Sequence, residues 1–221
     1  RVMYLYPMYF SDGLIETLAG AKRIVPYLDL PLQHINDTLL KRMQRRVTRA
    51  ATEELLARLR AAIPELVLRT TFIVGFPGET EEQFGELVEF VAAQHFERLG
   101  VFTYSFEADT PSARLPDHCD EDVKESRRER LMAAQQKVAF AWNAAQIGRR
   151  LDVLIDGPVP GEPLLRGEPK AWIGRTYADA PDVDGVVYVT GKRLRPGRIV
   201  PCEMVTSRGY DLVGAAVGKP R

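Results

Sequence analysis

The sequence predicts an α/β protein: the carboxyl-terminal four βα units of a partial TIM barrel, followed by a small all-β barrel. Three observations support this fold class. In the first half, short apolar runs alternate with amphipathic segments of helical spacing, the pattern of parallel strands joined by helical crossovers. A long, highly charged helix is predicted from Asp120 to about Gln146. After Gly148, short β-rich runs divided by Gly, Pro and Asp indicate a small antiparallel barrel.

The predicted strands cover residues 2–6, 24–34, 66–75 and 98–105. Helices are predicted between them. One is capped by Ser11 or Asp12, one is opened by Asp37 or Thr38, one is capped by Thr52, and one runs from about Thr80 to His95. The last of these helices has its apolar residues on one face, and the long charged helix carries a stripe of its own at Leu131, Ala134, Val138, Ala141 and Ala145. Four strands are too few to close a barrel, so we expect residues 2–6 to lie at an open sheet edge.

Composition excludes several classes of protein. The 221 residues include 30 basic and 30 acidic side chains, so no overall field attracts nucleic acid or an anionic membrane. The two cysteines, Cys119 and Cys202, have no CxxC or CxH companion, which argues against a disulfide scaffold and favours a reducing cytoplasm. Signal peptides and apolar runs long enough to cross a bilayer are absent, so no membrane association is predicted.

The segment RTTFIVGFPGET, residues 69–80, is the centre of the predicted ligand site. It reads as a buried strand, a glycine turn and a helix start, and ligands of parallel α/β folds bind beyond the carboxyl ends of the strands. Polar and turn-forming residues follow the other strands too, at 7–9, 33–34 and 104–109. The turn lacks the lysine and spacing of a P-loop, so a flat adenine-like ring is favoured over phosphate.

Individual residues at this end of the sheet leave alternatives open. Arg69 and Thr71 share a strand face, and a buried arginine there needs an anionic partner, either a ligand carboxylate or Asp29. Gln33 and His34 are either a strand end bonded to backbone or ligand contacts.

The aromatic residues Phe102 and Tyr104 are either core side chains or ligand contacts. A Ser/His/Asp or paired-carboxylate constellation does not stand out. The residues alone therefore give a ligand-binding partial barrel and no reaction.

Five blocks, in order, resemble the methylthiotransferase branch of the radical SAM enzymes: VMYLYP, YLDLPLQHINDTLLKRMQR, LRTTFIVGFPGETEEQF, GVFTYSFEADTP and GRTYADAPDVDGVVYV. The resemblance extends from Val2 to Gly214. Within the branch, PLQH, the arginine of LRTTF, FTYS, and ADAP with DG are more similar to enzymes that modify an aspartate of a ribosomal protein than to those that modify a tRNA adenosine.

This resemblance implies an architecture and a reaction. It divides the chain into a radical SAM portion (1–117), a connecting helix (118–149) and a TRAM domain (150–221), an OB-like barrel. It implies cleavage of S-adenosylmethionine at a [4Fe-4S] cluster and methylthio transfer to an aspartate of protein twelve of the small ribosomal subunit. By position, the implied cofactor-binding residues are Gln33, His34, Arg69 and Thr71 near the methionine moiety, and Gly75, Phe76, Phe102 and Tyr104 around the adenosine.

Two features depart from the family pattern. The cluster-binding CxxxCxxC loop, expected before the first strand, is absent, so the ligands of the [4Fe-4S] clusters are expected outside this chain. We therefore expect the chain to be a piece of a longer protein and inactive by itself. In addition, Ala108 and Asp109 stand where family members have Glu-Gly.

Charge in the TRAM segment bears on the substrate. Residues 151–221 contain ten basic and nine acidic residues, a net charge of +1. RNA binders normally carry a clear basic excess, so near-neutrality favours a protein substrate. A local basic cluster is either a ribosomal RNA contact or a solvated loop; it comprises Lys192, Arg193, Arg195 and Arg198. The alternatives to ribosomal-protein modification are tRNA methylthiolation and a cluster-free binding module.

Overall fold

A computed structural model describes residues 1–161, 164–165, 168–169 and 171–218. The chain divides into two compact units, Arg1–Val138 and Ala139–Arg221. Within the described residues, no helix combines the length and apolar character needed to cross a bilayer. Five charged residues counted above lie outside the described residues: Glu162, Arg166, Lys170, Lys219 and Arg221.

The first unit contains a parallel sheet and its covering helices. The strands are β1 (Tyr27–Asp29), β2 (Val67–Val74) and β3 (Arg98–Thr103). The helices are α1 (Asp12–Gly20), α2 (Asp37–Arg42), α3 (Arg49–Ala62) and α4 (Glu81–Gln94), with 3₁₀ turns at Pro7–Tyr9 and Pro111–Arg114. Helix α5 (Glu121–Ala145) begins in this unit and ends in the second.

The sheet has the order β1-β2-β3, and all its strands are parallel. The segment predicted as a first strand forms a single bridge, Val2 to Leu28, on the side of β1 away from β2. Tyr4 has a left-handed φ of 59°, which interrupts the extended backbone that a longer strand would need. This segment therefore lies at the sheet edge, as predicted, but is shorter than predicted.

Side chains of β2 alternate between a covered and a less covered face of the sheet. Leu68, Thr70, Phe72 and Val74 are buried, whereas Arg69, Thr71 and Ile73 are only partly buried. The Phe72 ring packs edge-to-face on Phe90 and Phe96, with centroids 6.4 and 6.1 Å away. The face of Arg69, Thr71 and Ile73 is thus the one left for ligands.

Polar caps set the helix starts, although not always at the predicted residue. The Ser11 side chain caps α1, and Thr80 and Gln83 form a capping box at α4. The cap of α2 is Asn36, which precedes the predicted Asp37 or Thr38.

The predicted cap of α3, Thr52, was wrong. Thr48 caps this helix and accepts a hydrogen bond from the Ala51 amide at 3.3 Å. Thr52 lies inside the helix, and its hydroxyl donates to the Thr48 carbonyl at 2.9 Å. Helix α3 therefore begins earlier than its apolar pattern indicates.

The predicted apolar stripe of α5 was only partly correct: Leu131 is buried and Ala134 and Val138 are half-buried. Ala141 and Ala145 are exposed, whereas polar side chains such as Gln135 and Asn143 are buried. These side chains are satisfied by backbone carbonyls within their own units: Gln135 donates to the Phe96 carbonyl at 3.4 Å, and Asn143 to the Gly209 carbonyl at 3.0 Å. Hydrogen bonding thus lets α5 bury polar positions.

The second unit is a closed barrel whose strands are β4 (Arg150–Pro158), β7 (Trp172–Arg175), β8 (Val187–Thr190), β9 (Ile199–Arg208) and β10 (Asp211–Ala216). These five strands follow the order β10-β8-β7-β4-β9 around the barrel. A two-stranded hairpin, β5 (Leu164–Leu165) and β6 (Glu168–Pro169), stands apart from the barrel sheet. The barrel confirms the OB-like prediction, but β8 and β10 pair in parallel, so it is not wholly antiparallel.

Candidate functional site

Glu79 organises the glycine turn that follows β2. Its Oε2 accepts hydrogen bonds from the backbone amides of Gly75 and Phe76, the latter at 3.2 Å. The residue is buried, so these amides are satisfied inside the turn rather than open to a ligand. Glu79 was not among the site residues predicted from the sequence. An acid at the end of a glycine turn can reach the backbone amides of that turn, and this is the pattern that could have indicated it.

The second oxygen of Glu79 faces two buried side chains. Glu79 Oε1 lies 3.9 Å from His34 Nε2 and 3.7 Å from Arg127 Nη1. His34 Nδ1 accepts a hydrogen bond from the Asn36 amide at 3.0 Å, so in the neutral ring the proton is on Nε2. At 3.9 Å no hydrogen bond forms, and among the described residues neither His34 Nε2 nor Glu79 Oε1 has a hydrogen-bond partner.

Arg69 is paired with Asp29, one of the two alternatives that the sequence left open. Arg69 Nη1 donates to Asp29 Oδ1 at 2.9 Å and lies 3.4 Å from the Thr71 hydroxyl. Asp29 is fully buried and also accepts from the Tyr4 amide at 3.1 Å. Asp29 and Arg69 are register neighbours on β1 and β2, so the pair joins adjacent strands.

The space next to Gly75 is filled by Lys124. Gly75 has a left-handed φ of 71°, and the Lys124 methylenes lie where a Cβ would be. The Lys124 ammonium donates to Glu121 at 2.6 Å and lies 5.5 Å from the centre of the Tyr104 ring. A side chain of α5 therefore covers the glycine that the sequence assigned to a ligand.

The predicted aromatic residues have different environments. Phe76 and Tyr104 are buried and pack edge-to-face, with centroids 5.3 Å apart. The Tyr104 hydroxyl donates to the Ser112 hydroxyl at 3.1 Å. Phe102 is 62% exposed and lies beside Ile73 in the register of β2 and β3.

A cavity of about 360 Å³ lies at the carboxyl end of the sheet. Small-molecule sites are typically about 300–1,000 Å³, so it is large enough for a nucleoside-sized ligand. Of the predicted site residues, Gln33 and Phe76 line it, and the other six do not. Its lining residues are Gln33, Arg42, Met43, Gln44, Arg45, Ile73, Phe76, Pro111 and Ser112.

An iron–sulfur cluster does not fit the residues that the structure describes. Across this part of the chain, no three His, Cys, Asp or Glu side chains come together as metal ligands. Cys119 is partly buried, and Cys202 lies in the barrel core. Burial, with a smaller contribution from Asp152, raises the pKa of the Cys202 thiol to about 11, which disfavours the thiolate that binds metals.

Comparison with known proteins identifies both parts of the chain. Residues 1–91 match the Radical SAM superfamily, and residues 147–217 match the TRAM domain. Both matches agree with the radical SAM and TRAM regions that the resemblance of the five sequence blocks implied. The solved structure of coproporphyrinogen III oxidase (HemN) from Escherichia coli, a radical SAM enzyme, covers 63% of this chain with a TM-score of 0.53. At 18% identity and 32% coverage of HemN, this likeness supports the fold alone.

Along nearly its whole length the chain is similar to the ribosomal protein uS12 methylthiotransferase RimO. It is 49% identical to RimO of Syntrophotalea carbinolica over 98% of this chain and 46% of that protein. RimO of Geobacter sulfurreducens is 45% identical over 98% of this chain and 47% of its own length. The chain spans about half the length of these relatives.

Proposed function

We propose that this chain forms part of a radical SAM methylthiotransferase that adds a methylthio group to an aspartate of ribosomal protein uS12, in the cytoplasm. The observation that carries the proposal is the collinear identity of 49% to a RimO across both the radical SAM and TRAM regions. The near-neutral charge of residues 151–221 supports a protein substrate rather than tRNA.

We propose S-adenosylmethionine as the ligand at the carboxyl end of the sheet. Gln33 and Phe76 would contact it from the cavity, and Thr71 and Phe102 from the open face of the sheet. When bound, S-adenosylmethionine supplies the radical for the family reaction. The cavity volume and the apolar side chains of Met43, Ile73 and Phe76 suit a nucleoside.

Equilibrium dialysis of the chain with radiolabelled S-adenosylmethionine tests this site. Gln33→Ala changes the cavity, whereas Phe102→Ala changes only the open face. If the ligand occupies the cavity, Gln33→Ala weakens binding more than Phe102→Ala does. If neither substitution alters the affinity of a binding-competent chain, the proposed site is wrong.

A chimera tests the function as a whole. The amino-terminal half of Syntrophotalea carbinolica RimO would precede Arg1, and the purified chimera would be reconstituted with iron and sulfide. Mass spectrometry then detects methylthio-aspartate in uS12 and methylthio-adenosine in tRNA, with the parent RimO as positive control. We expect modified uS12. Modified tRNA with unmodified uS12 would overturn the proposal, as would a cluster-loaded chimera that modifies neither.

The basic cluster of the TRAM segment remains a proposed local RNA contact. Lys192, Arg193, Arg195 and Arg198 are exposed between β8 and β9. Residues 151–221 as a whole have a net charge of only +1, so these four side chains are expected to add affinity for ribosomal RNA beside uS12 without directing the enzyme to tRNA.

A further inference from the structure

Lys124, in the first turn of α5, packs against the glycine turn that follows β2. Its Cβ and Cδ lie 3.1 and 3.3 Å from the position that a Cβ on Gly75 would take. Gly75 has a left-handed φ of 71°, so the turn and the lysine stem fit together only because this residue has no side chain. The Lys124 side chain is 4% exposed and does not line the cavity. The stem therefore supports the turn from the side away from the cavity.

The Lys124 ammonium lies next to an aromatic residue that supports the cavity wall. It donates to Glu121 and is 5.5 Å from the centre of the Tyr104 ring. Tyr104 packs edge-to-face on Phe76, and its hydroxyl donates to the Ser112 hydroxyl at 3.1 Å. Phe76 and Ser112 both line the cavity. Lys124 thus contacts two supports of the wall, the glycine turn and Tyr104.

A second residue of α5, Arg127, holds the other end of the same turn. Arg127 is buried, and its Nη1 donates to the Glu79 carbonyl at 3.1 Å. Just before the helix, the Asp117 carbonyl accepts a hydrogen bond from the Gly78 amide at 2.8 Å. Lys124 and Arg127 are three residues apart and so lie on one face of α5. The start of α5 and the segment before it therefore fix the turn along its whole length.

We propose that Lys124 is a positioning residue for the ligand of this cavity. Its methylene stem sets the distance between the glycine turn and α5, and thereby the place of Phe76 against the adenosine of S-adenosylmethionine. The stem rather than the charge has this role, because the acidic partner of the ammonium, Glu121, is exposed and water screens such a pair. The inference rests on the proposed function, since it takes S-adenosylmethionine as the ligand.

Truncation of the stem tests the role by equilibrium dialysis of the 221-residue chain with S-adenosylmethionine. Lys124→Ala should weaken binding about tenfold, because the turn loses its support and Phe76 moves away from the ligand. Lys124→Met keeps the stem without the charge and should bind as the wild type does. Arg128→Ala, at an exposed position of the same helix, is the matched control and should leave the affinity unchanged. Equal affinities of the alanine and methionine variants would overturn the inference.

Amide NMR shifts of the chain without ligand give a local readout that a general loss of stability does not move. Lys124→Ala should displace the amide signals of Gly75 and Phe76 more than Lys124→Met does, with both variants shown to be folded by circular dichroism. Lys124→Val is a milder truncation that keeps the Cγ atoms, and it should lose part of the affinity even if Lys124→Ala does not fold. Wild-type affinity in every truncated variant that folds would contradict the assignment.

The chimera with the amino-terminal half of RimO separates this inference from the proposed function. In the chimera, Lys124→Ala should raise the KM for S-adenosylmethionine about tenfold and change kcat less than about twofold, because the stem affects binding rather than the reacting atoms. Modified uS12 with an unchanged KM would defeat only this inference. Modified tRNA, with a raised KM that Lys124→Met restores, would defeat only the proposed function. A chain and a chimera that bind no S-adenosylmethionine would defeat both.

Discussion

Glu79 connects three parts of the first unit at one carboxylate. It accepts hydrogen bonds from the amides of Gly75 and Phe76, and its other oxygen lies near His34 and Arg127. Because the acid is buried, its removal would leave the two buried amides without their acceptor and would leave Arg127 with Glu81 as its remaining acidic partner among the described residues. The turn after β2 thus depends on a side chain rather than on glycine alone.

We expect Glu79→Ala to lower the free energy of unfolding by about 2 to 6 kcal/mol, because two buried amides lose their acceptor at about 1 to 3 kcal/mol each. Urea unfolding followed by circular dichroism measures it. Glu82→Ala is the matched control, because Glu82 is exposed on the same helix start and should change stability by less than about 0.5 kcal/mol. Equal midpoints for the two variants would show that the Glu79 contacts contribute nothing.

The Cys202 thiol should make the stability of the chain depend on alkaline pH. Burial raises its pKa from 9.0 to about 11 in the folded state, so its contribution to stability is complete below pH 9 and is lost as the pH rises toward 11. The gap in stability between wild type and Cys202→Ala should therefore narrow between pH 9 and pH 11. Urea titrations at several pH values measure the gap, and a constant gap would contradict the raised pKa.

Thiol labelling offers a separate check at constant pH. A disulfide reagent at pH 8 should modify Cys119, which is partly buried, and leave Cys202 unmodified until urea unfolds the barrel. The variants Cys119→Ala and Cys202→Ala identify which thiol reacts. Rapid reaction of the Cys119→Ala variant in the absence of urea would contradict the buried position of Cys202.

At the residue scale, the sequence could indicate the place of the site but not its contacts. Strand ends and turn residues correctly predicted that Gln33 and Phe76 lie at the carboxyl end of the sheet. Arg45 was missed because its partners, the Pro31 carbonyl and the Tyr6 ring, are distant in sequence and belong to no motif. Contacts to backbone carbonyls leave no residue pattern to detect.

Among the elements, α3 shows how a cap can be misassigned. Thr48 and Thr52 are four residues apart, so they lie on the same face of the helix. The apolar pattern alone therefore does not show which of them is the cap. Thr48 accepts the hydrogen bond that satisfies a free amide of the first turn.

Thr48→Ala should lower the free energy of unfolding by about 1 kcal/mol, the typical contribution of an N-cap side chain. Thr48→Ser keeps the hydroxyl and should stay close to wild type. The comparison requires chemical unfolding under identical conditions. If the alanine and serine variants are equally stable, the cap hydrogen bond is not what stabilises the start of α3.

Helix α5 sets a limit to prediction from periodicity. Its length was predicted within a residue or two, because a long charged segment with helical spacing is typical of an α-helix and not of a strand or a loop. Its buried face was not predicted, because Lys124, Arg127, Gln135 and Asn143 are polar residues buried through hydrogen bonds. Binary patterning cannot identify such positions.

Across the whole molecule, each of the two units has a hydrophobic core of its own. Leu59 belongs to the core of the first unit, and Leu212 belongs to the core of the barrel. Both tryptophans, Trp142 and Trp172, are in the second unit, whereas α1 to α4 are in the first. Tryptophan fluorescence and far-ultraviolet circular dichroism therefore report mainly on different units.

This arrangement predicts a reciprocal result. Leu212→Ala should move the fluorescence transition to a lower urea concentration, and Leu59→Ala should do the same for the circular dichroism transition. In each case the free energy of unfolding of the affected unit should fall by about 2 to 5 kcal/mol, the usual cost of truncating a buried leucine. Each variant serves as the control for the other. If both substitutions shift both signals equally, the chain unfolds as one cooperative unit and its two cores are not energetically separate.

Gln33 has a left-handed φ of 72°, a conformation that costs a non-glycine residue about 1 kcal/mol or more. Its backbone is held by hydrogen bonds to β2 on both sides, from the Gln33 amide to the Thr71 carbonyl and from the Ile73 amide to the Gln33 carbonyl. The conformational cost is thus met when the protein folds, before any ligand arrives. The Gln33 side chain in the cavity wall is therefore attached to a backbone that is already ordered. A ligand that contacts it would lose little free energy to ordering the backbone, and more of the contact energy would appear as affinity.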